Sequence, residues 1–328
     1  MGKPLENNLN VGLIGTGFAA RLRAETLHAD SRSRLIAVVG YNPQKTAEFA
    51  QKYGARVLES WQELVDLDEL DLVIISTINR DHGAIAKAAL TAQKHVVVEY
   101  PLALNFEEAQ SLWILSKTQH KLLHIEHIEI LGGLHQAFKQ TLPQLGDISY
   151  LRYSKIAPKH PAPQRWNYQK DLFGFPLVAS LSCIHRFTDA LGTVETVYAQ
   201  NRYWPEDSEY YHGCFCTAQL QFTSGTIADI IYGKGEIFWQ PERKLEAHGN
   251  QGTLIFEGDR GDLIQLDKTT EIPVGTRRGL FAQDTRQVLD YLTEGTPLYV
   301  SPQASLYALK VACAAQRSAV TGQKVTVN

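Results

Sequence analysis

Residues 11–20 read VGLIGTGFAA. The apolar run Val11 to Ile14 ends in Gly15-Thr16-Gly17-Phe18-Ala19-Ala20, a G-x-G-x-x-A pattern. A strand feeding such a turn, with a helix opening directly after it, is the arrangement that receives a dinucleotide pyrophosphate. Gly15 permits the sharp turn, Gly17 lets backbone approach the phosphates, and the small Ala20 lets the helix pack on the strand. The helix N-terminus faces the negative charge. The competing reading is an ordinary tight turn between strand and helix. The strand–helix–strand setting that begins at residue 11 weighs against it.

Working outward, strand and helix keep alternating. Residues 34–39, 71–76, 95–98 and 121–124 read as apolar strands, and helical stretches at 18–29, 44–53, 82–92 and 106–118 separate them. Continuous apolar strands with intervening helices predict a parallel sheet covered on both faces. Beyond residue 125 the pattern changes. Strand-like runs at 148–156, 194–202, 214–222, 226–232, 243–248 and 252–256 follow one another with polar turns, as in an antiparallel sheet. Helices are predicted at 127–141, 177–190, 282–293 and 303–320. The fold class is therefore α/β: a Rossmann domain over 1–124 and an α+β domain on a large, mostly antiparallel sheet over 125–328.

The chain has 328 residues, enough for two domains, and its 44% hydrophobic and 20% charged composition is globular. A formal net charge of −3 gives no basic field for nucleic acid. No apolar run is long enough to cross a membrane, and residues 1–10 lack a signal-peptide core. The four cysteines read as free thiols of a cytoplasmic protein. Cys214 and Cys216 are expected on opposite faces of a strand, against a disulfide or a shared metal. A monomer is expected rather than an oligomer.

A Rossmann site for NAD usually carries an acid at the end of the second strand. Here that region is Val39-Gly40-Tyr41-Asn42. Nothing in it repels a 2′-phosphate, so NADPH is the expected cofactor, with NADH weaker. The cofactor set is Gly15, Thr16, Gly17, Phe18, Ala19 and Tyr41.

Residues 71–104, DLVIISTINRDHGAIAKAALTAQKHVVVEYPLAL, resemble the signature of the Gfo/Idh/MocA oxidoreductase family. Thr77, Asn79, His82, Glu99 and Tyr100 stand at its motif positions, and the resemblance adds them to the cofactor set. Two departures matter. Sugar-oxidising members carry lysine where this chain has Tyr100. Their D-x-G-x-H-x-x-D helix is matched here only by His185 and Asp189, with Leu181 in place of the first acid. A secondary alcohol needs a base as hydride leaves, so reduction of a substrate without a hydroxyl is favoured.

The segments KHVVVEYPLAL (94–104), LHIEHIEIL (123–131) and FGFP (173–176) resemble the biliverdin reductase branch, most of all its cyanobacterial form. That resemblance implies NADPH-dependent hydride transfer to the central methine carbon of a linear tetrapyrrole, with a proton gained by a pyrrole nitrogen. It implies Tyr100, Arg186 and His185 as catalytic candidates. Members of that branch carry arginine where this chain has Cys183, and Arg186 lies three residues on. The substrate set is Glu126, His127, Trp166, Phe173, Arg186 and Lys234. For Tyr100 the alternative is ordinary packing, and for Glu126 and His127 a satisfied polar network. For Trp166 and Phe173 it is core packing, for Lys234 a solvated charge, and for Arg186 an internal pair with Asp189. The H-x-E-H spacing from His124 is not a zinc motif, and no metal is expected. The competing functions are a sugar or polyol dehydrogenase of the same family and a non-catalytic NADP-binding regulator.

Overall fold

The computed structural model describes residues 8–327 and divides into two units. The reading of the N-terminal residues 1–7 lies outside the described residues. The first unit runs to Ile128 and also takes Gly279–Leu306; the second comprises Glu129–Arg278 and the chain from Tyr307 onward.

The first unit is built on strands β1 (Leu9–Ile14), β2 (Ser33–Val39), β3 (Arg56–Val57), β4 (Leu72–Ile75), β5 (His95–Val98) and β6 (Leu123–Ile125). They form a parallel sheet of order β3-β2-β1-β4-β5-β6. The crossovers carry α1 (Phe18–Ala29), α2 (Pro43–Tyr53), α3 (Trp61–Val65), α4 (His82–Thr91) and α5 (Phe106–Thr118). The strand order reverses beside β1, and in such sheets ligands lie outside the carboxyl ends of the strands at that point. The central strand β4 is apolar throughout because both its faces are covered: all four of its residues are buried.

A contiguous boundary near 125 gives everything beyond it to the second domain. The structure returns a later segment to the first. After the short α6 (Ile128–Leu131), α7 (Gly133–Thr141), α8 (Lys170–Phe173), α9 (Pro176–Ala179) and α10 (Ser182–Leu191) comes α11 (Leu280–Glu294). Val288, Leu289 and Leu292 of α11 share one core cluster with Leu9, Leu13, Leu27 and Leu72. The fully buried Arg23 of α1 adds an ion pair, its Nη1 2.6 Å from Asp284 of α11.

The second unit has nine strands: β7 (Ile148–Pro158), β8 (Val194–Trp204), β9 (Gly213–Phe222), β10 (Ile227–Gly235), β11 (Glu242–Gly249), β12 (Gly252–Glu257), β13 (Arg260–Gln265), β14 (Lys268–Pro273) and β15 (Val325–Thr326). The long helix α12 (Pro302–Thr321) precedes the last strand. The sheet order is β14-β13-β12-β11-β7-β10-β9-β8-β15. Every pair is antiparallel except β7 with β10, which is parallel. Burial alternates: on β9, Cys214, Cys216, Ala218, Leu220 and Phe222 are buried, while Gln219 and Gln221 are exposed. Cys214 and Cys216 therefore share one face, contrary to expectation, because alternate strand residues point the same way. Both are free thiols.

Two predicted helices are interrupted. The one expected over 127–141 is α6 and α7, and the one expected over 177–190 breaks at Ser180 and Leu181 between α9 and α10. Ser180 has φ −116°, ψ 45°, outside the helical basin.

Candidate active site

The carboxyl ends of the first unit's strands collect the residues singled out by the motifs. Residues 15–19 follow β1, Tyr41 follows β2, Thr77 and Asn79 follow β4, Glu99 and Tyr100 follow β5, and Glu126 and His127 follow β6. Ladder bonds run past the strand ends: Gly15 N–H donates to Val39 O at 2.8 Å, and Glu126 N–H to Val98 O at 2.8 Å.

Gly15 has φ +118°, and a Cβ there would overlap the Ser76 carbonyl oxygen. Side chains are excluded by both conformation and space. Gly17 differs: a Cβ there meets nothing within 4 Å. The open surface at Gly17 stands at the start of α1, beside exposed Phe18, with Ala20 fully buried beneath. These features fit a pyrophosphate approaching backbone at a helix N-terminus. Tyr41 is fully exposed, while the Asn42 side chain caps α2 by accepting from Lys45 N–H at 3.0 Å. Arg21 pairs with Glu25 at 2.9 Å on the same helix.

His82 is fully buried, which lowers its pKa, and its ring nitrogens lie 2.8 Å from Pro101 O and 3.3 Å from Thr77 O. It clamps the loops that carry Thr77 and Tyr100 rather than facing solvent. The Tyr100 ring stacks on that of His127, centroids 5.3 Å apart and planes 9° from parallel. His127 is itself fixed: its Nε2 lies 2.7 Å from Ser305 Oγ, and its backbone N–H donates to Tyr299 Oη at 2.9 Å. Tyr299 donates to Asp284 at 2.7 Å, and His124 Nε2 lies 2.7 Å from the same carboxylate.

Arg23 Nε binds Glu99 at 2.7 Å, and the buried Glu126 lies beside them. Burial, then the nearby negative charge of Glu99 and Asp284, raises the Glu126 carboxyl well above the usual range. Burial would raise Asp284 too, but Arg23 and His124 outweigh it and hold that carboxyl below its ordinary value. Glu126 and His127, assigned by sequence to the substrate, stand in a buried polar network that includes Tyr299 and Ser305.

In the second unit, α10 presents Ser182, His185, Arg186 and Asp189 on one face. Burial lowers the His185 pKa to about 4, so its imidazole is neutral at physiological pH. The Arg186 guanidinium is buried against the Tyr153 ring, 5.2 Å from its centroid. Its Nη2 reaches Glu129 at 3.3 Å. An internal Arg186–Asp189 pair does not form: Asp189 takes His135 at 2.7 Å and Lys139 at 2.9 Å. Cys183 is buried, which raises its thiol pKa.

Lys234 is no solvated charge. Its ammonium sits 3.6 Å from the Phe173 ring centroid, 4.7 Å from Tyr168 and 5.2 Å from Tyr211. It also donates to Asn167 O, and burial lowers its pKa to about 8. Phe173 is buried in this cage, and Trp166, 6.0 Å from Phe173, is partly exposed. Tyr168 and Tyr211 were not legible as site residues, since no periodicity marks them. Among the described residues no group of three or more His, Cys, Asp and Glu could hold a metal, and no helix is long and apolar enough to cross a membrane.

Comparison with known proteins bears on these features. Residues 9–127 match an oxidoreductase family with an NAD-binding Rossmann fold, and residues 141–327 match its C-terminal alpha/beta domain. The chain belongs to the Gfo/Idh/MocA oxidoreductase family. It is 54% identical to biliverdin reductase from Synechocystis sp. PCC 6803, solved in complex with biliverdin and NADP+. That likeness covers 94% of this chain and 98% of the other, with a TM-score of 0.93. Biliverdin reductase A of Mus musculus is 25% identical over 280 residues, 85% of this chain and 84% of that protein. Levoglucosan dehydrogenase of Pseudarthrobacter phenanthrenivorans is 24% identical, covering 79% of this chain and 76% of that protein.

This Gfo/Idh/MocA member has an aromatic phenol at position 100 and a leucine at 181, where the resemblance places lysine and aspartate in sugar oxidisers. Leu181 is fully buried, and the Tyr100 ring stacks on the His127 imidazole. Leu181 cannot supply the base that alcohol oxidation needs.

Proposed function

We propose that this protein reduces biliverdin to bilirubin with NADPH. The observation that carries the reading is Tyr100: a phenol stacked on His127 stands where an amine serves alcohol oxidation. The 54% identity to the Synechocystis enzyme, solved with biliverdin and NADP+, supports the same substrate and cofactor.

The α1 N-terminus with Gly15 and open Gly17 holds the cofactor phosphates, and Thr77, Asn79 and Glu99 at the neighbouring strand ends position its remainder. The reduced nicotinamide, when bound, supplies hydride to the central methine carbon. Adding hydride leaves the conjugated system electron-rich, so a cation or proton donor lowers the barrier. Arg186 is the cation: buried, permanently charged, and with Nε and Nη1 still open among the described residues beside its 3.3 Å contact to Glu129. Tyr100 is the proton donor, since a phenol with a reference pKa of about 10 keeps its proton at neutral pH. His185 is neutral and cannot be the cation. Trp166 offers a partly exposed indole on which a flat bilin stacks.

Turnover assays separate this from the competing functions. Biliverdin with NADPH is consumed, whereas a panel of sugars and polyols with NADP+ or NAD+ gives no reduction of the cofactor. Steady sugar oxidation would overturn the reading, and so would tight NADPH binding without any turnover.

A further inference from the structure

We propose that Arg186, Arg243 and Arg277, gathered on Glu129, form a carboxylate seat that Glu129 fills in the free protein and a propionate of the bilin takes over. The inference rests on the reading of the substrate as biliverdin, a tetrapyrrole with two propionates, and names the residues that recognise one of them.

The charge count is lopsided. Glu129 Oε2 takes Arg186 Nη2 and Arg243 Nη2, each at 3.3 Å, and Oε1 takes Arg277. Lys155 on β7 adds a further positive charge nearby. Four cations therefore surround one carboxylate. Burial would raise the Glu129 pKa, but these cations outweigh it and hold the group ionised. Ion pairs of full strength run at about 2.7–2.9 Å, so the 3.3 Å contacts are loose ones.

A second observation is independent of Glu129. Arg186 is 1% exposed, and its Nε and Nη1 have no hydrogen-bond partner among the described residues. A buried guanidinium with open donors is costly, and a second carboxylate beside it would relieve that cost.

The approach to the seat is also built. Gly133 at the start of α7 lies so close to Gly275 that a Cβ on Gly133 would overlap its backbone. The contact brings the segment carrying Arg277 down toward Glu129 while the Arg277 side chain stays 52% exposed. An exposed arginine can follow an incoming anion at little cost, whereas Arg186 is fixed.

The test compares biliverdin with its dimethyl ester, which keeps the chromophore and removes both negative charges. Dissociation constants are read from quenching of protein fluorescence, with KM from turnover. The wild type should prefer the acid. Glu129→Gln, which frees the cations, should tighten the acid at least about fivefold and move the ester less than about twofold. Arg277→Gln and Arg243→Gln should weaken the acid about tenfold and leave the ester in place. Unchanged acid-to-ester ratios in these variants would overturn the seat. Arg277→Gln carries the test alone if Glu129→Gln lowers the melting temperature. The two failures are distinguishable: no turnover of either bilin defeats the functional reading, while equal use of acid and ester with equal KM defeats only the seat.

Discussion

The ring of Tyr100 lies flat on the imidazole of His127, 5.3 Å away and 9° from parallel, and His127 is anchored to Ser305 and Tyr299. The phenol ring is therefore held by packing against an anchored imidazole. Tyr100→Phe should lower biliverdin turnover about tenfold, or roughly 1.4 kcal/mol of transition-state stabilisation. Phenylalanine keeps the ring and its stacking on His127, so the protein should remain folded. Steady-state kinetics beside thermal unfolding check this; an unchanged rate returns Tyr100 to packing.

Gly15 and Gly17 should respond differently to substitution. Gly17→Leu should leave the melting temperature near the wild-type value, because a side chain there meets open space. It should nevertheless weaken NADPH and NADH together by blocking the pyrophosphate. Gly15→Ala should destabilise the protein, since the new methyl overlaps Ser76 O and the backbone has φ +118°. Fluorescence titration of both cofactors should also show NADPH binding more tightly than NADH, because no acid follows β2. A lower dissociation constant for NADH would contradict that assignment.

How far the sequence went is clear from these residues. The glycine turn, Tyr41, Thr77, Glu99 and Tyr100 are local: each follows an apolar strand whose end is visible in the chain. Long-range pairing is not local. Arg186 meets Glu129 across 57 positions, and Lys234 meets Asn167 across 67, with no periodicity to announce either. The return of α11 to the first unit escaped because its apolar stripe would suit any core. The break before α10 escaped because Pro176–Ala179 and Leu181 are all buried, so no polar face marked the change of direction.

Arg186→Ala should slow biliverdin reduction at least about tenfold, with NADPH affinity little changed. The same change leaves Glu129 paired with Arg243 and Arg277, so the fold should survive. Cys183→Ala should be nearly silent, because the thiol is buried and its pKa is raised. Full activity in Arg186→Ala would remove this helix from the site. A sharp gain in Cys183→Arg would move the cation to position 183.

Glu126 makes a prediction about pH and stability. Its folded pKa is raised well above 4.5, so the native state favours the neutral acid. Its stabilising contribution is complete below the unfolded value and is lost as pH rises through the folded one. Glu126→Gln keeps a neutral side chain at every pH. The variant should therefore melt above the wild type at about pH 8 and beside it at about pH 4. Asp284 has the opposite sign: its folded pKa is depressed, so its contribution is present above 3.8 and is lost as pH falls. A Glu126→Gln advantage confined to acid pH would show that the carboxyl is ionised in the native state.

The most direct test of the central claim is the visible spectrum of the purified protein mixed with NADPH and biliverdin. The account predicts that the long-wavelength biliverdin band decays while a yellow bilirubin band grows, with one NADPH oxidised per bilin converted. A static biliverdin spectrum in the presence of bound NADPH would contradict it.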